Sequence, residues 1–123
     1  NRGRACGEPC RRPATHGPMA EIVWTEPALS DLEAIADYIA LDKPSAAAAL
    51  VQRVVALVEQ LGTHPQRGSK PAELGNKSRY RQLVEPPCRV FYRFDGERVF
   101  ILHVMRSERL LRKAVLASRE KDL

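Results

Sequence analysis

Cysteine is scarce and odd in number: Cys6, Cys10 and Cys88 are the only three in 123 residues. They cannot build a disulfide framework, and an apolar fraction of 44% supplies a core without one, which fits a reducing cytoplasm. Cys6-x3-Cys10 with His16 has no fourth ligand nearby, so the spacing defines no zinc site. No metal or cofactor is implied. Cys88 stands at a strand start and reads as a small apolar residue rather than a nucleophile. No apolar run approaches the ~20 residues of a membrane-spanning helix, so no membrane partner is expected. Internal repeats are lacking too. Together these absences exclude disulfide scaffolds, zinc modules and solenoids, and leave a single domain long enough for a genuine core.

Charge of one sign is locally scarce. Residues 20–60 carry two basic side chains, Lys43 and Arg53, against seven acidic ones, a balance of −5. Residues 61–123 carry fourteen basic against seven acidic, a balance of +7. The formal net charge of +5 therefore describes a polarised molecule with an acidic half and a basic half.

Residues 1–18 hold Arg, Gly, Pro and Cys without apolar periodicity. They lack the apolar stretch of a secretory signal and are expected to be a disordered or leader segment outside the fold, with the domain running over residues 19–123. A strand is expected at Glu21–Trp24. Thr25-Glu26-Pro27 then supplies a capping side chain and a first-turn proline. Leu29, Leu32, Ile35, Ala36 and Ile39 predict a helix to about Leu41. Asp42-Lys43-Pro44-Ser45 breaks it and starts a second helix, with a stripe of Leu50, Val54, Leu57, Val58 and Leu61 and a stop at Gly62. So short a connection makes the two helices antiparallel neighbours.

A polar loop at 63–78 leads to three strands, roughly 79–84, 88–94 and 98–105. Val90, Tyr92 and Phe94 alternate with Arg89, Phe91 and Arg93, the period of a half-buried strand. Asp95-Gly96 signals the hairpin that follows, because glycine accepts the positive φ of a tight turn. The tail from Ser107 can form a short amphipathic helix. The expected fold is α+β: an N-terminal strand and a two-helix hairpin packed on a small antiparallel sheet, β-α-α-β-β-β, with a short C-terminal helix or tail. Arginine recurs through the sheet at 79, 81, 89 and 93 and beyond it at 106 and 109. Such a surface suits an anionic partner, nucleic acid or acidic protein.

Four stretches carry a family likeness: Ala28-x2-Asp31-Leu32-x2-Ile35-Ala36-x-Tyr38-Ile39, Leu61-x2-His64-Pro65-x2-Gly68, Arg89-Val90-Phe91-Tyr92-Arg93 and Val99-x-Ile101-Leu102-x-Val104. In this order they resemble the RelE/ParE superfamily of bacterial toxins, from Ala20 to about Val115, and the first-helix pattern is more similar to the ParE branch. The resemblance implies an antitoxin partner. It also implies one of two targets: DNA gyrase, inhibited by binding, or messenger RNA cleaved on the ribosome. On the nuclease reading the candidate residues are Arg81, Arg89, His103 and Glu108. The basic pair that the RelE branch keeps on the preceding strand falls on Tyr80 and Gln82, or on Arg79 and Arg81 with a one-residue slip. Its last Arg and Tyr fall on Ser107 and Lys113. RNA cleavage needs a base, a phosphate-binding cation and an acid, and arginine, with a pKa above ~12, makes a poor acid. His103 in its strand reads as a hydrogen-bonded sheet residue, His64 as a turn former, and Glu108 as an ion-pair partner of Arg106 or Arg109. The alternatives are a ribosome-dependent mRNA endonuclease and an inactive toxin homologue that acts as an antitoxin-binding module; the expectation is a gyrase-binding toxin without nuclease chemistry. Its target would meet Arg106, Arg109, Arg112 and Lys113, and its antitoxin Arg79, Arg81, Arg89 and Arg93.

Overall fold

The computed structural model describes residues 19–121 and 123. The leader segment and Cys6, Cys10 and His16 lie outside the described residues. The element order is β1 (Glu21–Trp24), α1 (Glu26–Ala40), α2 (Pro44–Glu59), β2 (Tyr80–Glu85), β3 (Cys88–Phe94), β4 (Arg98–Arg106) and α3 (Lys113–Lys121). The α+β order expected from the sequence is present. The sheet, ordered β1-β4-β3-β2, is mixed, because β1 pairs parallel with β4 while β2, β3 and β4 are antiparallel.

Thr25 is the joint between sheet and helix. Its backbone N–H and its hydroxyl both donate to the Ile101 carbonyl, and its oxygen accepts from Ala28 N at the start of α1. Ala28 and Leu32 on α1 and Ala47, Leu50, Val54 and Val58 on α2 turn inward at helical spacing. They cover a sheet face made of Leu83, Val90, Tyr92, Val99, Ile101 and Val104. Leu29, counted in the apolar stripe from sequence, is 49% exposed, since it sits one residue round the helix from Ala28. No helix among the described residues is long and apolar enough to cross a membrane.

The opposite sheet face is covered as well. Tyr80, Phe91, Leu102 and Met105 pack with Leu111 and with Leu116 of α3, so β3 is buried from Cys88 to Tyr92 rather than on one side only. Cys88 is a buried free thiol, and burial pushes its pKa up, which keeps it an apolar filler.

Two local irregularities place the site. Phe91 pairs with His103 but Tyr92 pairs with Ile101, so Leu102 is an extra residue on β4. The bulge shifts the inside–outside parity and brings His103 onto the Phe91 face, where the rings stack with centroids 5.9 Å apart. The loop before β2 approaches the sheet at Gly68. Its N–H donates to the buried Tyr92 hydroxyl at 2.9 Å, and Ser69 exchanges two backbone bonds with Gln82. That contact explains the His64-Pro65-x2-Gly68 pattern: the loop must come this close, and only a residue without Cβ fits.

Candidate functional site

β1 ends opposite Ile101, leaving the rest of β4 without a strand on that side. Asp31 of α1 fills the gap. Its Oδ2 accepts the N–H of Val104 at 3.1 Å and lies 2.8 Å from His103 Nδ1. Arg119 of α3 completes the cluster, donating to both Asp31 oxygens and to the Leu102 carbonyl. Burial would raise the Asp31 pKa, but the bonds from His103, Arg119 and Val104 outweigh it and hold the carboxyl below its ordinary range.

Asp31 and His103 of this cluster are part of the lining of an open groove of about 1080 Å³ between α1, β4 and the segment leading into α3. Ala34, Ile35, Tyr38, Val104, Met105, Leu110, Leu111 and Val115 give it apolar walls, and Arg106, Arg109 and Arg112 give it a cationic rim. Leu110 is 80% exposed and Tyr38 62%, which is unusual for large apolar side chains on one groove. Arg106 lies over the Tyr38 ring, 5.1 Å from its centroid, and 3.0 Å from Glu108 Oε2. The side chains of Arg109, Arg112 and Lys113 have no ion-pair partner among the described residues.

The other sheet arginines are committed inside the chain. Arg89 is buried in a two-pronged pair with Glu73, both contacts 2.9 Å, and also donates to Gln82 Oε1 and the Arg109 carbonyl. Glu73 in turn accepts the Leu111 N–H, so this pair ties the loop before β2 to the segment after β4. Arg79, Arg93 and the Tyr80 hydroxyl all converge on Glu120 of α3, and Arg81 donates to the Gln66 and Gly68 carbonyls. Arg79, Arg81, Arg89 and Arg93 thus help to fasten α3 and the 63–78 loop to the sheet, with the Arg79 side chain still 61% exposed. The four residues named for nuclease chemistry are likewise dispersed: Arg89 goes to Glu73, Arg81 to the loop carbonyls, His103 to Asp31 and Glu108 to Arg106.

Sequence reading missed Asp31, Glu73, Arg119 and Glu120. Each meets its partner across 16 to 88 residues of chain, a separation to which periodicity is blind. Asp31 alone left a trace, as the acidic position inside the first-helix pattern beside buried Leu32.

The Arg89 pair sets an acid limit. Hydrogen bonding from Arg89 lowers the Glu73 pKa from 4.5 to about 2. A carboxylate depressed on folding contributes stability that is fully present above its unfolded value and is lost as pH falls through the folded one. Wild-type protein is therefore expected to lose stability between about pH 4.5 and about pH 2. Denaturant titrations of Glu73→Gln across that range should show a weaker base stability and a shallower decline. An unchanged slope would mean that the pair contributes nothing to acid sensitivity.

With the geometry in place, comparison with known proteins places it. A family model described as the ParE toxin of the type II toxin–antitoxin system, parDE, matches residues 22–111. The chain belongs to the ParE toxin family. It is thereby a type II toxin of the RelE/ParE superfamily. The match takes in Asp31, Glu73, Arg89, His103, Arg106 and Arg109 and ends just before Arg112 and α3. The chain is similar to Toxin RelE2 of Caulobacter vibrioides, 34% identical over 92 residues that cover 75% of this chain and all of that relative. It is also similar to a solved chain of the chromosomal ParDE system from P. aeruginosa, at 30% identity and a TM-score of 0.61, over 73% of this chain and 98% of the other.

Proposed function

We propose that this toxin inhibits DNA gyrase by binding it, without RNA-cleaving chemistry of its own, and that a cognate antitoxin neutralises it by filling the groove between α1 and β4. One observation carries the reading. The groups suited to phosphate and proton chemistry are spent on contacts within the chain, while Arg109 and Arg112 stand beside exposed Leu110 on an apolar groove. An apolar floor with a cationic rim suits an amphipathic acidic segment. Antitoxin and target then compete for one surface, and neutralisation follows from occupancy. The P. aeruginosa relative belongs to a toxin–antitoxin system by its title, and that supports an antitoxin partner for this chain.

The alternative reading, a ribosome-dependent mRNA endonuclease, draws on Arg81, Arg89, His103 and Glu108. Induced His103→Gln protein decides between them in a growth assay. In the gyrase reading, inhibition stays close to wild type, because no proton transfer is involved. In the nuclease reading an acid–base group is lost, which typically contributes ~10²–10⁴-fold in rate, and toxicity collapses. Survival of toxicity is expected.

A further inference from the structure

The Asp31–His103–Arg119 cluster holds the His103 ring in one orientation on the groove. Arg119 Nη1 carries two hydrogens and has three neighbouring acceptors: Asp31 Oδ2, the Leu102 carbonyl at 3.0 Å and His103 Nδ1 at 2.8 Å. The charged carboxylate and the carbonyl are the stronger pair of acceptors, and they use both hydrogens. His103 Nδ1, 2.8 Å from Asp31 Oδ2, is then left to donate to that carboxylate. A neutral imidazole that donates from Nδ1 holds its lone pair on Nε2. Nε2 bonds to no described residue, and His103 lines the groove. Stacking on Phe91 and the cluster itself fix the ring, so the lone pair has one direction.

From this we infer that His103 is a specificity residue of the groove, and that the segment it receives carries a hydrogen-bond donor at the point that meets Nε2. The segment would be amphipathic: apolar residues against Ile35, Met105 and Val115, carboxylates toward Arg106, Arg109 and Arg112, and one donor at the floor. A segment of the same apolar pattern without the donor would bury Nε2 unpaired and be rejected. The inference rests on the proposal that the groove receives the antitoxin.

The test uses full-length protein and the product of the neighbouring open reading frame, with dissociation constants measured for three variants. His103→Asn places an amide near the Nδ1 position, where it can still donate to Asp31, but leaves nothing at the Nε2 position. His103→Gln extends to the Nε2 position and offers an acceptor there. The expected result is that His103→Asn binds ~10–100-fold more weakly while melting close to wild type, and that His103→Gln recovers most of the affinity. The Arg106→Ala/Arg109→Ala/Arg112→Ala protein serves as the control for the groove. If it loses affinity while folded His103→Asn binds like wild type, the acceptor role is overturned and the groove stands. Equal weakening by Asn and Gln also overturns it, since the acceptor position would then be irrelevant. If the arginine triple binds like wild type, the groove proposal itself falls.

Discussion

Growth inhibition is expected to disappear when Arg106, Arg109 and Arg112 are replaced together by alanine. Each guanidinium stands on the rim of the groove, where none is needed to hold the fold. Arg109 takes part in the fold through its carbonyl, which accepts from Arg89, and alanine keeps that carbonyl. Arg106 contributes a stack on exposed Tyr38 and a surface pair with Glu108, worth about 1 kcal/mol together. The variant should thus remain folded. Interface arginines are frequent centres of binding energy, with truncations costing ~2 kcal/mol or more. Even with incomplete additivity, three such losses weaken target binding on the order of 10³-fold. Induction of the triple variant should give colony counts matching an empty vector, with normal soluble yield. Undiminished toxicity from folded protein would remove this rim from the target surface.

The largest stability effect is expected at Gly68. A Cβ built there lies 2.5 Å from the Gln82 carbonyl oxygen and 2.7 Å from the Tyr92 hydroxyl. The first is sheet backbone and the second belongs to a fully buried ring, so neither can yield cheaply. Gly68→Ala must push the loop off β2, breaking the two Ser69–Gln82 bonds and leaving the Tyr92 hydroxyl without its donor. Overpacking of this kind costs ~3 kcal/mol, which lowers the melting temperature by roughly 10 °C in a domain this size. Tyr92→Phe/Gly68→Ala should not recover the loss, because the clash with Gln82 persists. A melting curve within 2–3 °C of wild type (about 1 kcal/mol) would show that the loop moves freely.

Much of this scaffold was legible because it is local. Residues 89–94 alternate as β3, Asp95-Gly96 marks the hairpin into β4, α1 and α2 carry stripes at helical spacing, and Thr25, Pro27 and Pro44 mark their starts. Three features carry no local signal. The parallel docking of β1 on β4 depends on how the two helices return the chain. The Leu102 bulge has no glycine or proline to announce it, yet it decides which face His103 takes. The commitments of Arg79, Arg89 and Arg93 depend on Glu73 and Glu120, which sequence shows only as charges in a loop and a tail. The spacing of the arginines gives no sign that α3, with buried Leu116, closes over the face that Arg89 and Arg93 share. The groove rim was legible for the opposite reason. Arg106, Arg109 and Arg112 follow the last strand closely, so proximity in sequence is proximity in space.

Purified protein added to a DNA gyrase supercoiling assay, with toeprinting of translated messages run in parallel, tests the central claim most directly. Inhibited supercoiling with intact messages is the predicted result. Full supercoiling activity with messages cut on the ribosome would contradict it.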